Sequence, residues 1–117
     1  MLSVTSLEKQ ALDRALDGPQ PWMPFLRAQA AVICVKDRRS TGVGQFVEFE
    51  LPLGVSPVPE EFRDSIFAPS VQVIHPALPY GGSFILWIED GFINTLECVA
   101  NAAEWPLDDC AGNFTFE

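Results

Sequence analysis

The chain has no long apolar segment, few basic residues, a single histidine and only three cysteines. No run of about eighteen apolar residues is present, which excludes a membrane-spanning helix. The first residues carry charges of both signs, so we predict no signal peptide and expect a cytoplasmic protein. An odd number of cysteines without C-x-x-C spacing predicts reduced, partly buried thiols at Cys34, Cys98 and Cys110.

The shortage of basic residues leaves 7 Lys and Arg against 16 Asp and Glu, a formal net charge of -9. A field of that sign repels phosphate backbones and anionic lipids, so the sequence predicts neither nucleic acid nor a membrane as a partner. The same field would attract a basic protein. Acidity also keeps a cytosolic protein soluble, and that alternative explains the same composition.

Motifs for catalysis, cofactors and metals are missing as well. The glycines of T-G-V-G-Q-F are not followed by the Lys-Ser/Thr of a phosphate-binding loop. There is no G-x-S-x-G motif, and no Asp or Cys stands at ligand spacing from His75. We therefore predict no catalytic residue, no metal ligand and no cofactor, and the sequence favours a protein that is not an enzyme.

The chain does have enough apolar residues for one core, since 48% of its 117 residues are hydrophobic. We predict a single domain over residues 1–117. Thr5 and Glu8 have the spacing of a capping box at the start of a helix. Gly18, as a left-handed cap, and Pro19 are predicted to end that helix.

Strand patterns follow the helix. Residues 45–51 alternate between apolar and polar side chains, and the pair Asp90-Gly91 is a strong signal for a tight hairpin turn. The predicted strands are residues 27–36, 45–51, 70–75, 83–90 and 92–100, with a short edge strand near 113–117. The predicted fold class is α+β, with the N-terminal helix packed on a mostly antiparallel sheet of about five strands.

The predicted pairing of the strands places two groups of charged residues. Arg38 and Arg39 are predicted to pair with Glu48 and Glu50 on the outer surface of the first hairpin. Regular pairing around Asp90-Gly91 places Glu97 opposite Phe84, on an apolar face.

A carboxylate on that face needs hydrogen-bond donors. We interpret Glu97 as an anchor for loop backbone or for an indole N–H such as that of Trp105. The alternative is a functional acid.

The last two-thirds of the chain resemble a group of small bacterial proteins of uncharacterised function. Their pattern begins with a Thr-Gly-Val-Gly-Phe-like segment, continues as Gly-Phe-x-Leu-x-x-x-Asp-Gly-x-x-x-x-Leu-Glu and ends with Trp-Pro. The matching residues here are Thr41, Gly42, Val43, Gly44, Gly82, Phe84, Leu86, Asp90, Gly91, Leu96, Glu97, Trp105 and Pro106. The chain departs from the pattern at Cys98 and Val99. The resemblance implies a fold and no activity.

Three functional hypotheses remain open. The leading one is a non-enzymatic protein-binding domain with a basic partner, similar in size and charge to the immunity proteins that neutralise bacterial toxins. The second is a small-ligand module or enzyme. The residues of its pocket would be Trp87, Trp105, Tyr80, Glu97 and His75, with His75 as a base. The third is a structural homodimer.

Overall fold

The computed structural model describes residues 2–106 and 114–117. Within these residues the chain forms three helices and six strands. In chain order they are α1 (Ser6–Ala15), α2 (Met23–Ala30), β1 (Cys34–Ser40), β2 (Gly44–Glu50), α3 (Glu60–Arg63), β3 (Ser70–His75), β4 (Leu78–Glu89), β5 (Phe92–Ala100) and β6 (Thr115–Phe116). Cys110 and the acidic stretch 107–109 lie outside the described residues.

The predicted α+β class is confirmed, with one antiparallel sheet and α1 packed on it. The strand order is β1-β2-β5-β4-β3-β6, so the described part of the sheet has six strands rather than about five. The sixth strand is the short edge strand Thr115–Phe116, which pairs with β3. In the part of the chain that is described, no helix has the length and apolar character needed to cross a membrane.

Helix α1 begins as predicted. The Thr5 hydroxyl accepts the Glu8 backbone N–H at 3.1 Å, and Glu8 Oε1 accepts the Thr5 backbone N–H at 2.9 Å. Its predicted end is wrong, because the helix stops at Ala15 and Gly18 is not among the residues with positive φ. Instead Arg27 Nη1 donates to the carbonyls of Leu16, at 2.8 Å, and Gly18. A cation from α2 therefore caps the end of α1.

The prediction of a strand over residues 27–36 is wrong in its first half, where α2 forms. Pro24 lies in the first turn of α2, where its missing N–H costs nothing. The buried residues Met23, Leu26 and Gln29 recur at helical spacing. Strand β1 begins only at Cys34, after this helix has ended.

The first hairpin, β1 with β2, contains a bulge that the sequence analysis missed. Val35 pairs with Phe49 and Asp37 with Glu48, so Lys36 is an extra residue in β1. Because the bulge changes the alternation of side chains, Arg38 lies opposite the fully buried Val47. Arg38 therefore does not join Glu48 or Glu50 on the outer surface as predicted. Its guanidinium binds both carboxylate oxygens of Glu8, with Nη2 to Oε1 at 2.7 Å and Nε to Oε2 at 2.8 Å.

Arg39 behaves as the sequence predicts. Its guanidinium forms an exposed ion pair with Glu48 at 3.1 Å. The two arginines of this hairpin thus point to opposite sides of the sheet.

The second hairpin, β4 with β5, turns at Asp90-Gly91 as predicted, with φ of 53° and 81° at the two residues. The predicted pairs next to the turn are confirmed, including Ile88 with Ile93. Beyond them the register shifts by one residue, because Trp87 pairs with Thr95 and leaves Asn94 as a bulge.

Gln29 of α2 holds this bulged end of the hairpin. Its side chain is completely buried and its Oε1 accepts the Ile93 backbone N–H at 2.8 Å. Its Nε2 donates to the carbonyls of Gly91, at 2.9 Å, and Ser56, at 3.1 Å. One carboxamide therefore joins α2, the turn of the central hairpin and the irregular segment before α3.

We expect Gln29→Leu, which keeps the side-chain volume and removes all three hydrogen bonds, to lower the free energy of unfolding by about 3 kcal/mol, since buried groups left unpaired cost about 1–3 kcal/mol each. Urea unfolding measures the change. The matched control is Gln10→Leu on the exposed side of α1, expected to change stability by no more than about 0.5 kcal/mol. Equal losses in the two variants would contradict the assigned role of Gln29.

The Glu8–Arg38 pair is expected to stabilise the fold more than the Arg39–Glu48 pair. The Glu8 side chain is 6% exposed, and its two carboxylate oxygens accept from Nε and Nη2 of Arg38. The side chains of Arg39 and Glu48 are 61% and 35% exposed.

Double-mutant cycles measured by urea unfolding should give a coupling of about 2 kcal/mol for Glu8 with Arg38. The control cycle on Arg39 with Glu48 should give about 0.5 kcal/mol. Similar couplings in the two cycles would show that burial of the Glu8–Arg38 pair adds nothing.

Candidate functional site

The shifted register of the central hairpin reverses the predicted position of Glu97. Instead of Phe84, Glu97 faces Ile85 on β4 and Phe46 on β2. Directly opposite residues share a face, so Glu97 lies on the side of the sheet away from Phe84 and Leu86. The predicted placement on the buried apolar face is wrong, because the Asn94 bulge changes the alternation along β5.

We call this side of the sheet the outer face. It is defined by the side chains of Arg39, Phe46, Glu48, Ile85, Trp87, Thr95, Glu97 and Val99. The inner face carries the fully buried Val35, Val47, Leu86 and Leu96, on which α1 and α2 pack. The outer face is the less covered of the two, since Trp87 is 46% exposed.

Its other apolar side chains, Phe46, Ile85 and Val99, are half-buried and are not among the residues packed against the core.

Glu97 is held on the outer face by a tryptophan, though not by the one predicted. The indole Nε1–H of Trp87 donates to Glu97 Oε1 at 3.0 Å. Trp105 instead covers the inner face, edge-on to Phe84 with ring centroids 5.5 Å apart. Sequence reasoning identified the type of bond but not the donor, because a shift of one residue exchanges the two faces.

A shallow depression of about 470 Å³ lies on the outer face between Phe46 and Trp87, and its lining does not include Glu97. Two cations, Lys36 and Arg39, belong to the lining. The Arg39 guanidinium lies 5.6 Å from the centre of the Phe46 ring and pairs with Glu48. The depression can receive a flat or elongated group between aromatic side chains, and its carboxylate is the paired Glu48.

The remaining predicted site residues do not lie beside Glu97. His75 is buried on the core side of β3, with its ring centroid 4.5 Å from that of Phe114. Its Nδ1 accepts the Ala77 backbone N–H at 2.9 Å, and its Nε2 has no hydrogen-bond partner among the described residues. Tyr80 is 72% exposed, and its carbonyl accepts the side-chain amide of Asn101.

The structure therefore brings together Trp87 and Glu97 and separates them from Trp105, Tyr80 and His75. A carboxylate and an imidazole on opposite faces of a sheet cannot act on one substrate atom. Within residues 2–106 and 114–117, no group of three or more His, Cys, Asp and Glu is arranged to hold a metal ion.

The inner face contains a second polar cluster that the sequence analysis missed. A cavity of about 130 Å³ is lined by Glu8, Arg38, Cys98 and Trp105, among others. Burial raises the pKa of the Cys98 thiol strongly, and the carboxylates of Glu8 and Glu97 raise it further. A protonated, buried thiol is a poor nucleophile, so the cluster is suited to packing rather than chemistry. The sequence signals for its members were the capping-box spacing of Glu8 and the predicted burial of the Cys98 thiol.

Phe46 and Ile85 complete the outer face and were not named as site residues. Phe46 alternates with the buried Val47 along β2, and Ile85 alternates with the buried Phe84 and Leu86 along β4. The period-two pattern of the sequence therefore separates both residues from the buried face. What was missing was the register that places them on either side of Glu97.

Comparison with known protein families, with curated proteins and with solved structures finds no significant match to this chain. The resemblance in the T-G-V-G and L-E…W-P segments therefore assigns no family.

We expect Cys98 to resist alkylation by iodoacetamide in the folded protein at neutral pH, because its raised pKa leaves it protonated and its side chain is buried. Cys34, a half-buried free thiol, is the internal control and should react faster. Mass spectrometry of the digested protein measures both rates. Modification of Cys98 as fast as Cys34 under native conditions would contradict the assignment.

The same shift has a consequence for stability at alkaline pH. Folding raises the pKa of Cys98, so the folded state favours the protonated thiol. The stability that this thiol contributes is therefore complete at pH values below its ordinary pKa of about 8.5, and it is lost as the pH rises above that value. Cys98→Ala should therefore show a smaller loss of stability than the unmodified protein between neutral and alkaline pH.

Proposed function

We propose that this protein is a non-enzymatic binding domain of the bacterial cytoplasm whose partner is a basic protein. In its more specific form the proposal is an immunity-type inhibitor, in which the partner is a toxin. The observation that carries the proposal is the outer face, where an exposed tryptophan and half-buried apolar side chains surround a carboxylate.

The composition of this face supports protein binding. Tryptophan dominates the binding energy of many interfaces when it is buried by a partner. Charged residues at the rim of an interface select partners and accelerate association more than they add affinity. With a net charge of -9, the chain favours encounters with a basic protein over an acidic one.

The alternative of an enclosed ligand pocket receives less support from the geometry. The five residues of that hypothesis are distributed over both faces of the sheet, and Tyr80 is exposed near the start of β4. The depression between Phe46 and Trp87 is shallow and open, whereas small-molecule sites are usually concave and largely enclosed. A homodimer through the outer face would bring together two copies of the same acidic surface.

The proposal is tested by affinity purification from the native host with the tagged protein, at low and at high ionic strength. We expect a partner with positive net charge that is retained at low ionic strength and whose affinity falls as salt is added, because screening weakens charge attraction. The purified pair is then measured by titration calorimetry. If no partner is retained, or if the retained partner is acidic, the proposal is wrong.

A further inference from the structure

The outer face combines exposed aromatic surface with a carboxylate that no described cation neutralises. The ion pairs found among the described residues are Glu8 with Arg38, on the inner face, and Glu48 with Arg39. Arg39 is also placed over the Phe46 ring. Of the two carboxylates that define the outer face, Glu48 is paired with Arg39, and Glu97 forms no ion pair with the described residues.

The geometry of Glu97 leaves one side of the carboxylate available. Its Oε1 accepts the Trp87 indole N–H, and its Oε2 accepts no hydrogen bond from the described residues. The Phe46 and Ile85 side chains lie on the two neighbouring strands directly opposite Glu97. Trp87 thus fixes the orientation of the carboxylate, and the apolar neighbours reduce the access of water to it.

We infer that the outer face is the docking surface for the basic partner and that Glu97 binds an arginine side chain of that partner. The inference rests on the proposed function. It adds which surface of this protein docks and which side chain of the partner that surface binds. The guanidinium pairs with Glu97 Oε2 while its plane stacks on the exposed Trp87 ring. Guanidinium suits this site because it is planar, weakly hydrated and able to contact carboxylates and aromatic rings at once.

Charge complementarity selects a basic partner rather than a second copy of this chain. Two outer faces in contact would bring two Glu97 carboxylates together, and each copy carries a net charge of -9. Like charges across an interface are unfavourable, particularly where apolar neighbours exclude water. An arginine supplies the missing cation to Glu97 and covers the exposed Trp87.

The first test uses hexa-arginine amide as the probe and hexa-citrulline amide as its uncharged control. The Trp87 indole N–H resonance of ¹⁵N-labelled protein, assigned with Trp87→Phe, reports directly on the Glu97 carboxylate because the two groups share a hydrogen bond. We expect this resonance to shift with hexa-arginine and to stay in place with hexa-citrulline. A response confined to residues of α1 would overturn the inference.

Two pairs of variants separate the site from the general acidic field. Glu97→Gln removes the charge and keeps an acceptor for the indole, and it should weaken hexa-arginine binding about tenfold. Asp13→Asn makes the same change in net charge on α1, at an exposed position on the opposite side of the sheet, and should weaken binding by less than about twofold. Equal weakening by both variants would mean that only the long-range field acts.

The second pair adds a cation instead of removing an anion. Thr95→Arg places a guanidinium beside Glu97 and should abolish the shift of the Trp87 resonance, whereas Gln10→Arg on α1 should not. Urea unfolding establishes that each variant is folded. Retention of hexa-arginine binding by folded Thr95→Arg would overturn the inference.

The outcomes distinguish this inference from the proposed function. If the purified basic partner binds Glu97→Gln and Thr95→Arg as tightly as the unmodified protein, the proposed function stands and the docking surface is wrong. If hexa-arginine binds through Glu97 but no basic partner is retained from the host, the arginine site stands and the proposed function fails. A homodimer in sedimentation that Thr95→Arg dissociates would assign the outer face to a second copy and overturn the inference.

Discussion

The side-chain carboxamide of Gln29 is the contact on which the rest of the fold depends. It uses both of its N–H groups and its oxygen on backbone atoms of two segments distant in sequence, near Ser56 and around Gly91. The Ile93 N–H lies beyond the last β2–β5 pair, Glu48 with Thr95, so Gln29 continues the hydrogen bonding where the pairing of β2 with β5 ends. A buried amide satisfied in this way specifies one packing of α2 against the central hairpin, since any other leaves three polar groups unpaired.

Two bulges then decide which polar groups face the core. The extra residue Lys36 turns Arg38 inward, where it meets the capping-box carboxylate of Glu8. The extra residue Asn94 turns Glu97 outward and brings the Cys98 thiol into the interior. In a strand the side-chain period is two, so a single inserted residue exchanges the faces of everything beyond it. The inner face acquires a paired ion and a protonated thiol, and the outer face acquires a carboxylate beside Trp87.

The distribution of charge that results is the basis of the proposed binding function. The inner polar cluster of Glu8, Arg38 and Cys98 is internally satisfied or protonated and borders a small cavity. The outer face keeps exposed aromatic area and a carboxylate oriented by one indole hydrogen bond. In the proposed function, the acidic field attracts a basic protein from a distance, and the Glu97 carboxylate between apolar side chains selects the group that docks.

The sequence by itself determined the local features whose causes are local. The capping box of Thr5 and Glu8, the Asp90-Gly91 turn and the alternation in β2 all follow from residues near one another in the chain. Helix α2 was missed because the Val- and Ile-rich residues after it resemble a strand, and the buried face of α2 includes a polar residue, Gln29, whose partners lie far away in the chain. The face of Glu97 depended on tertiary structure alone. Period-two reasoning requires an unbroken register, and the register here is broken by a bulge held from α2, a segment more than sixty residues away along the chain.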